Sequence, residues 1–179
     1  MSKPKDAVAL LTKDHAEVHK LFLEEEKLGK RSASAKVDLF NQIKAALEVH
    51  ATVEEELFYP AVKKVRSEHI KDEVREAAEE HKQIRSLLAQ ISEITPYDES
   101  YDMKIKVLKE DVEHHVKEEE GEMFPDARKY LGEKRLAALG EELAARKLEL
   151  EGNPRSDSTP ESHGKADRSS TETNQRKVG

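Results

Sequence analysis

The chain has 179 residues, enough for one domain with its own core, and 39% of them are charged while only 4% are aromatic. Leu, Ala, Glu and Lys dominate and Gly and Pro are few, which fits an all-α protein; a formal charge of −7 argues against a nucleic-acid partner, and the lack of Cys excludes disulfides, thiolate zinc sites, iron–sulfur clusters and Cys nucleophiles. The N-terminal apolar run, Ala7–Leu11, is too short for a secretion signal or a membrane span, so the expectation is a soluble, cytoplasmic protein with no membrane partner.

Five helical segments are predicted. The first runs from about Asp6 to Leu28, with an apolar stripe at Val8, Leu11, Val18 and Phe22 and with His15 in the middle of that seam. The steps alternate between three and four residues, the spacing of a helix seam in a bundle. A loop follows at Gly29–Ser34. The second segment, about Ala35 to Val65, carries Phe40, Ile43, Leu47, His50, Glu54, Leu57 and Ala61 on its stripe, and Pro60 is expected to kink it just past the Glu. The third, about Ser67 to Ile94, carries Ile70, Val74, Ala77, His81, Ile84, Leu88 and Ile91.

After a loop at Thr95–Ser100, the fourth segment runs from about Tyr101 to Tyr130, with Ile105, Leu108, Val112, His115, Glu119 and then Glu122 or Met123 on its stripe. His115 continues the seam, whereas His114 points about 100° away and reads as solvated. A short fifth helix, about Glu133 to Leu150, presents Leu136, Leu139, Leu143 and Leu150 and is expected to pack on the outside of the bundle. Residues 1–150 thus form the predicted domain, and 151–179, polar and charged with almost nothing to bury, a disordered tail.

The two halves repeat. His15 and His81 are 66 residues apart, His50 and His115 are 65 apart, and each half is a helix with one seam His followed by a helix with a seam His-x-x-x-Glu. Short connections between long amphipathic helices predict an up-down-up-down four-helix bundle. Its interior would hold His15, His50, Glu54, His81, His115 and Glu119. One seam histidine is ordinarily a satisfied core residue, but four in register with two carboxylates at matched spacing form a metal site. Without a cation, each unsatisfied buried polar group costs about 1–3 kcal/mol. Imidazole with carboxylate suits iron, manganese or zinc. Six ligands exceed one tetrahedral zinc and fit two metals, with both Glu side chains bridging, His on the flanks and a position open for a small ligand. The order, His first and Glu at i+4, differs from the Glu-x-x-His of ferritin-like sites, and no zinc-protease His-Glu-x-x-His occurs.

The ordered set His15, His50-x-x-x-Glu54, His81, His115-x-x-x-Glu119, with Pro60 and Pro125 at matched positions, resembles the hemerythrin-like (HHE cation-binding) family over about residues 6–130. The resemblance implies a bridged non-haem di-iron centre that binds or reacts with O₂, NO or peroxide, or handles iron. By position, His15 and His50 would flank one iron, His81 and His115 the other, and Glu54 and Glu119 would bridge. Oxygen-carrying members have a fifth His one turn along the third helix, where this chain has Arg85. A cation is no ligand, so an open, more reactive site is expected instead of reversible O₂ storage, with His19 a possible replacement donor. Glu55, Glu118, Glu120 and Glu122 read as a charged outer face, one of which could brace a ligand imidazole; Tyr59 and Phe58 read as a core lid, His69 and His163 as surface and tail residues. The competing functions are a metal store or sensor without turnover and a helical interaction module.

Overall fold

The structure, a computed structural model, describes residues 6–28, 32–65 and 67–152. Helix α1 spans Ala7–Glu26; α2 (Ala33–Val53) continues through a π-helical turn, Glu54–Phe58, into the short α3 (Tyr59–Lys63); α4 spans Glu68–Ser92; α5 (Glu99–Glu118) continues through a second π-helical turn, Glu119–Met123, into α6 (Phe124–Gly152). No strand occurs among the described residues. Four rods result: α1, α2 with α3, α4, and α5 with the start of α6. Three of the four rods begin at a side-chain cap, Asp6, Ser67 and Asp98, and the second begins after Ser32 without one. Asp6 accepts from the Ala9 amide at 2.8 Å and Asp98 from the Ser100 amide at 2.8 Å, each satisfying a donor that the first helical turn leaves free.

The all-α bundle matches the architecture expected from the seams, and the seam residues form the core. That core is split in two. One apolar cluster holds Val8, Leu11, Phe58, Val62, Ile70, Val74, Met123 and Phe124; the other holds Val18, Phe22, Phe40, Ile43, Leu47, Ile84, Leu88, Leu108 and Val112. Each such side chain contributes on the order of 1.5–3 kcal/mol when fully buried. The layer between the clusters is polar, and every seam His and seam Glu lies in it.

The fifth helix packs against the bundle through the leucine face expected of it. Gly132, at φ 71°, breaks α6, a backbone conformation that other residues rarely adopt, and the chain beyond it folds back onto the bundle. Leu136, Leu139 and Leu143 are essentially inaccessible and join the first apolar cluster. Three leucines four and three residues apart bury one face of this helix fully, so it is an integral wall of that half of the core. Glu151 and Gly152 are helical; the rest of the predicted tail lies outside the described residues. No helix among the described residues is long and apolar enough to cross a membrane.

Candidate metal centre

The local backbone sets the site. In each His-x-x-x-Glu pair one helical turn stacks the carboxylate over the imidazole: His50 Nε2 lies 3.2 Å from Glu54 Oε2, and His115 Nε2 lies 3.6 Å from Glu119 Oε2. Immediately after each Glu the helix widens. The Tyr59 amide bonds back to the Glu54 carbonyl and the Phe124 amide to the Glu119 carbonyl, a five-residue step. Pro60 and Pro125 follow directly and have no amide hydrogen to donate. The sequence predicts a kink here; the chain absorbs the proline in a wide turn and continues. The extra residue also shifts the buried register, so Phe58 and Tyr59 point inward in place of Leu57, and Met123 and Phe124 in place of Glu122.

All six predicted residues meet in the polar layer, none more than 6% exposed. His15 and His50 face each other with Nε2 atoms 3.2 Å apart, and His81 and His115 with Nε2 atoms 3.1 Å apart. The carboxylates tie the pairs together. Glu54 Oε2 lies 3.2 Å from His50 and 3.4 Å from His81; Glu119 Oε2 lies 3.3 Å from His15 and 3.6 Å from His115. Each Glu therefore spans from one imidazole pair to the other.

The outward nitrogens explain which ring atoms face in. His15 Nδ1 meets Glu120 at 2.8 Å, His81 Nδ1 meets Glu55 at 2.9 Å, and His115 Nδ1 meets Glu80 at 2.8 Å. His50 Nδ1 faces Asp14 more loosely at 3.6 Å, and Asp14 is held from the fifth helix by Lys147 at 2.5 Å. A carboxylate that accepts the Nδ1 proton leaves the Nε2 lone pair pointing inward, the arrangement of histidines that bind metals. The braces obey the internal repeat. Each seam His of α1 and α4 is preceded by an acid, Asp14 or Glu80, and each seam Glu is followed by one, Glu55 or Glu120. The single brace anticipated among the outer glutamates is in fact three acids, Glu55, Glu80 and Glu120, each at hydrogen-bond distance from an imidazole, while Asp14 only faces His50, whose Nδ1 has no hydrogen-bond partner; the recurring acid–His and Glu–Glu pairs were the signal for them.

Tyr59 enters the site itself. Its ring stacks on His81 with centroids 5.7 Å apart, and its hydroxyl donates to Glu119 Oε1 at 2.9 Å and lies 3.4 Å from Glu54 Oε2 and from His81 Nε2. A helical seam locates a ring but not its polar tip, so the sequence gives Tyr59 only as a lid. Burial and the neighbouring Glu54 and Glu119 push its hydroxyl well above the ordinary range, so it stays a donor. Phe124, at the equivalent place in the second half, stacks on His15 at 5.6 Å and brings no hydroxyl.

The charges are tightly coupled. Burial disfavours the charged form of His50, but Glu54 and Asp14 outweigh it and lift the imidazole to about 10. Burial likewise opposes charge on His81, and Glu54 and Glu55 lift it to about 9. Glu54 is driven the other way, well below the carboxylate range, by His50 and His81 against the penalty of burial. Buried acceptors are nonetheless left over: Glu54 Oε1 and Glu119 Oε2 have no hydrogen-bond partner. Imidazole nitrogens paired at 3.1–3.2 Å, which release their protons to bind a cation, and orphaned carboxylate oxygens are what a divalent metal satisfies, so the donor set fits metal. Two groups of donors meet the distance requirement: His15, His50, Glu54 and Glu119; and Glu54, His81 and His115.

Other candidates fall away. The His19 side chain is 54% exposed beside Glu113, so it is no replacement ligand, and His114, 65% exposed, faces Glu118 and Glu80 as a solvated residue would. His69 is at the surface, and His163 lies outside the described residues. Arg85 does not approach the inner nitrogens. Its guanidinium grips Glu55 with two hydrogen bonds of 2.8 and 3.0 Å, fixing the acid that braces His81 and, with His81, holding that carboxyl at about 2 against the penalty of burial.

A helical bundle enclosing a histidine–carboxylate cage defines a metal-binding protein of the hemerythrin type. Residues 6–127 match the hemerythrin HHE cation-binding domain, and the chain belongs to that family. It is 30% identical over 139 residues to a DNA nickase from Nostoc sp., a match covering 77% of this chain but 38% of that protein, so the chain spans well under half of that relative. It is 28% identical over 138 residues to uncharacterized protein Rv2633c of Mycobacterium tuberculosis, covering 71% of this chain and 80% of that one. The crystal structure of an HHE domain-containing Rv2633c homolog from Mycobacterium kansasii superposes with a TM-score of 0.72 at 24% identity, over 83% of this chain and 88% of that one, a likeness of fold.

Proposed function

We propose that the chain holds two iron ions, one between His15 and His50 and one between His81 and His115, with Glu54 and Glu119 bridging, and that this centre binds or reacts with a small oxidant: O₂, NO or peroxide. The observation that carries the reading is the pairing of inward Nε2 atoms at 3.2 and 3.1 Å, joined by two carboxylates that each reach both pairs. A single ion would leave one imidazole pair and its carboxylate oxygens unsatisfied. Iron in such a site supplies redox change and an open coordination position for a diatomic or peroxide ligand.

The remaining work belongs to the chain. Glu55, Glu80 and Glu120 orient His81, His115 and His15 through their outer nitrogens, and Asp14 lies beside that of His50. The two apolar clusters exclude bulk water above and below. Tyr59, at hydrogen-bond distance from Glu119, is the group placed to donate to an oxygen atom between the imidazole pairs. Arg85 cannot supply a fifth imidazole, so fewer protein donors surround the His81 position, which favours reaction or sensing over reversible carriage. The DNA nickase among the relatives is much longer, and a net charge of −7 weighs against a phosphate-backbone partner for this chain.

The test is to load the purified chain with iron and add peroxide while recording the near-ultraviolet spectrum. The reading expects an oxo-bridged ferric absorption that changes on addition and peroxide that disappears. Iron bound with no spectral or chemical response to peroxide, O₂ or NO would favour storage without turnover.

A further inference from the structure

The centre is buried, so its ions must cross the protein, and two of the openings lined by described residues include residues of the centre. One is a narrow crevice of about 10 Å³ walled mainly by Leu47, Ala51, Ile84 and Leu88 and flanked by Arg85. It offers a hydrated cation one carboxylate, Glu48, beside the Arg85 guanidinium that grips Glu55. The other lies between α4 and the second wide turn, a pocket of about 120 Å³ bounded by Glu73, Glu76, Glu80, Glu118, Glu119 and Glu122. No Lys or Arg lines it among the described residues.

On α4 the contributing positions are three and four residues apart, so they form one acidic face. The pocket grades inward. Glu76 and Glu122 are exposed, Glu73 is largely covered, and Glu119 is 1% exposed with Oε2 lacking a hydrogen-bond partner. Both oxygens of Glu73 are also covered and without a hydrogen-bond partner, and burial with the nearby Asp126 and Glu122 holds that carboxyl above its usual range despite His69. Two outer groups of metal-type donors flank the same pocket: His69, Glu73 and Asp126, and Glu80, His114 and Glu118.

We propose that this acidic pocket is the route by which ferrous ion enters the centre, handed from the exposed Glu76 and Glu122 past Glu73 to Glu119. The proposal rests on the di-iron reading above. A cleft lined by one sign of charge concentrates the opposite ion and raises its arrival rate by about 10-fold or more, an effect that salt weakens.

The experiment adds ferrous ion anaerobically to the metal-free full chain and times how fast it becomes inaccessible to a fast ferrous chelator. The triple variant Glu73→Gln, Glu76→Gln, Glu122→Gln alters none of the six central residues. It is expected to reach the wild-type iron content about tenfold more slowly, with a weaker dependence on salt. Glu76→Gln alone, at an exposed helical position, guards against misfolding of the triple variant and is expected to slow loading about twofold to threefold. Glu48→Gln, at the apolar crevice, is expected to load at the wild-type rate. Wild-type rates in both pocket variants, at full content, would overturn the route and leave the di-iron centre standing. A wild-type chain that takes up no iron would remove both.

Discussion

Tyr59 and Phe124 occupy the same place in the two halves of the bundle, each one residue before a proline and each stacked on a seam histidine, and only Tyr59 brings a hydroxyl into the centre. The two halves are alike in backbone and imidazoles but unlike at this tip. The difference makes the His81 side of the cage the one with a proton to give.

Tyr59→Phe is therefore expected to leave iron content unchanged and to slow reaction with peroxide on the order of 100-fold, the usual loss when a positioned donor is removed. Stopped-flow spectra of the iron-loaded variant check this. An unaltered rate would reduce Tyr59 to a packing residue.

Arg85→Ala releases Glu55, which then braces His81 less firmly. Loss of a group that orients a ligand imidazole costs about 10–100-fold in metal affinity. Glu55→Gln should fall in the same range, and because both act through one contact their effects should not add. Competition with a calibrated chelator measures the affinities; additive losses would show that Arg85 acts elsewhere.

Removing metal should destabilise the fold. A ligand at about 1,000 times its Kd stabilises by about 4 kcal/mol, which for a chain of this size is a rise of about 10 °C in Tm. Differential scanning with and without a strong chelator gives the number. A chelated protein as stable as the loaded one would mean that the cage does not depend on a cation.

The metal-free chain should also respond to pH in a definite direction. His50 and His81 sit at about 10 and about 9 in the fold, above the 6.5 of a free imidazole, so they bind protons more tightly when folded. Their contribution to stability is complete below pH 6.5 and is lost as pH rises through 9 to 10. Tm of the metal-free protein should fall across that window. The loaded protein should lack the fall, because its imidazoles are already deprotonated, and loading should release protons. A flat curve for the metal-free chain would contradict the coupling of these histidines to Glu54.

Much of this was legible in periodicity alone. Alternating steps of three and four residues put His15, His50, His81 and His115 on buried seams, and the repeat put Glu54 and Glu119 beside them. Three features escaped. Periodicity assumes a regular helix, so it could not register the wide turns: it put Leu57 on the stripe beside the Phe58 lid and left Glu122 and Met123 as alternatives, where the turns choose Phe58 and Met123. It ranks residues by face, so the acids beside the seam read as solvated, although Glu55 and Glu120 are held against imidazoles. It also says nothing of the space between helices, so it does not separate His19, whose side chain turns to solvent, from His15 one turn before it.

Whether two ions occupy this cage is decided by quantifying iron per folded chain. Two irons per wild-type chain are expected, and about one each in His15→Ala and His81→Ala with helicity retained. A wild-type chain that saturates at one iron, or stays iron-free while fully helical, would contradict that occupancy.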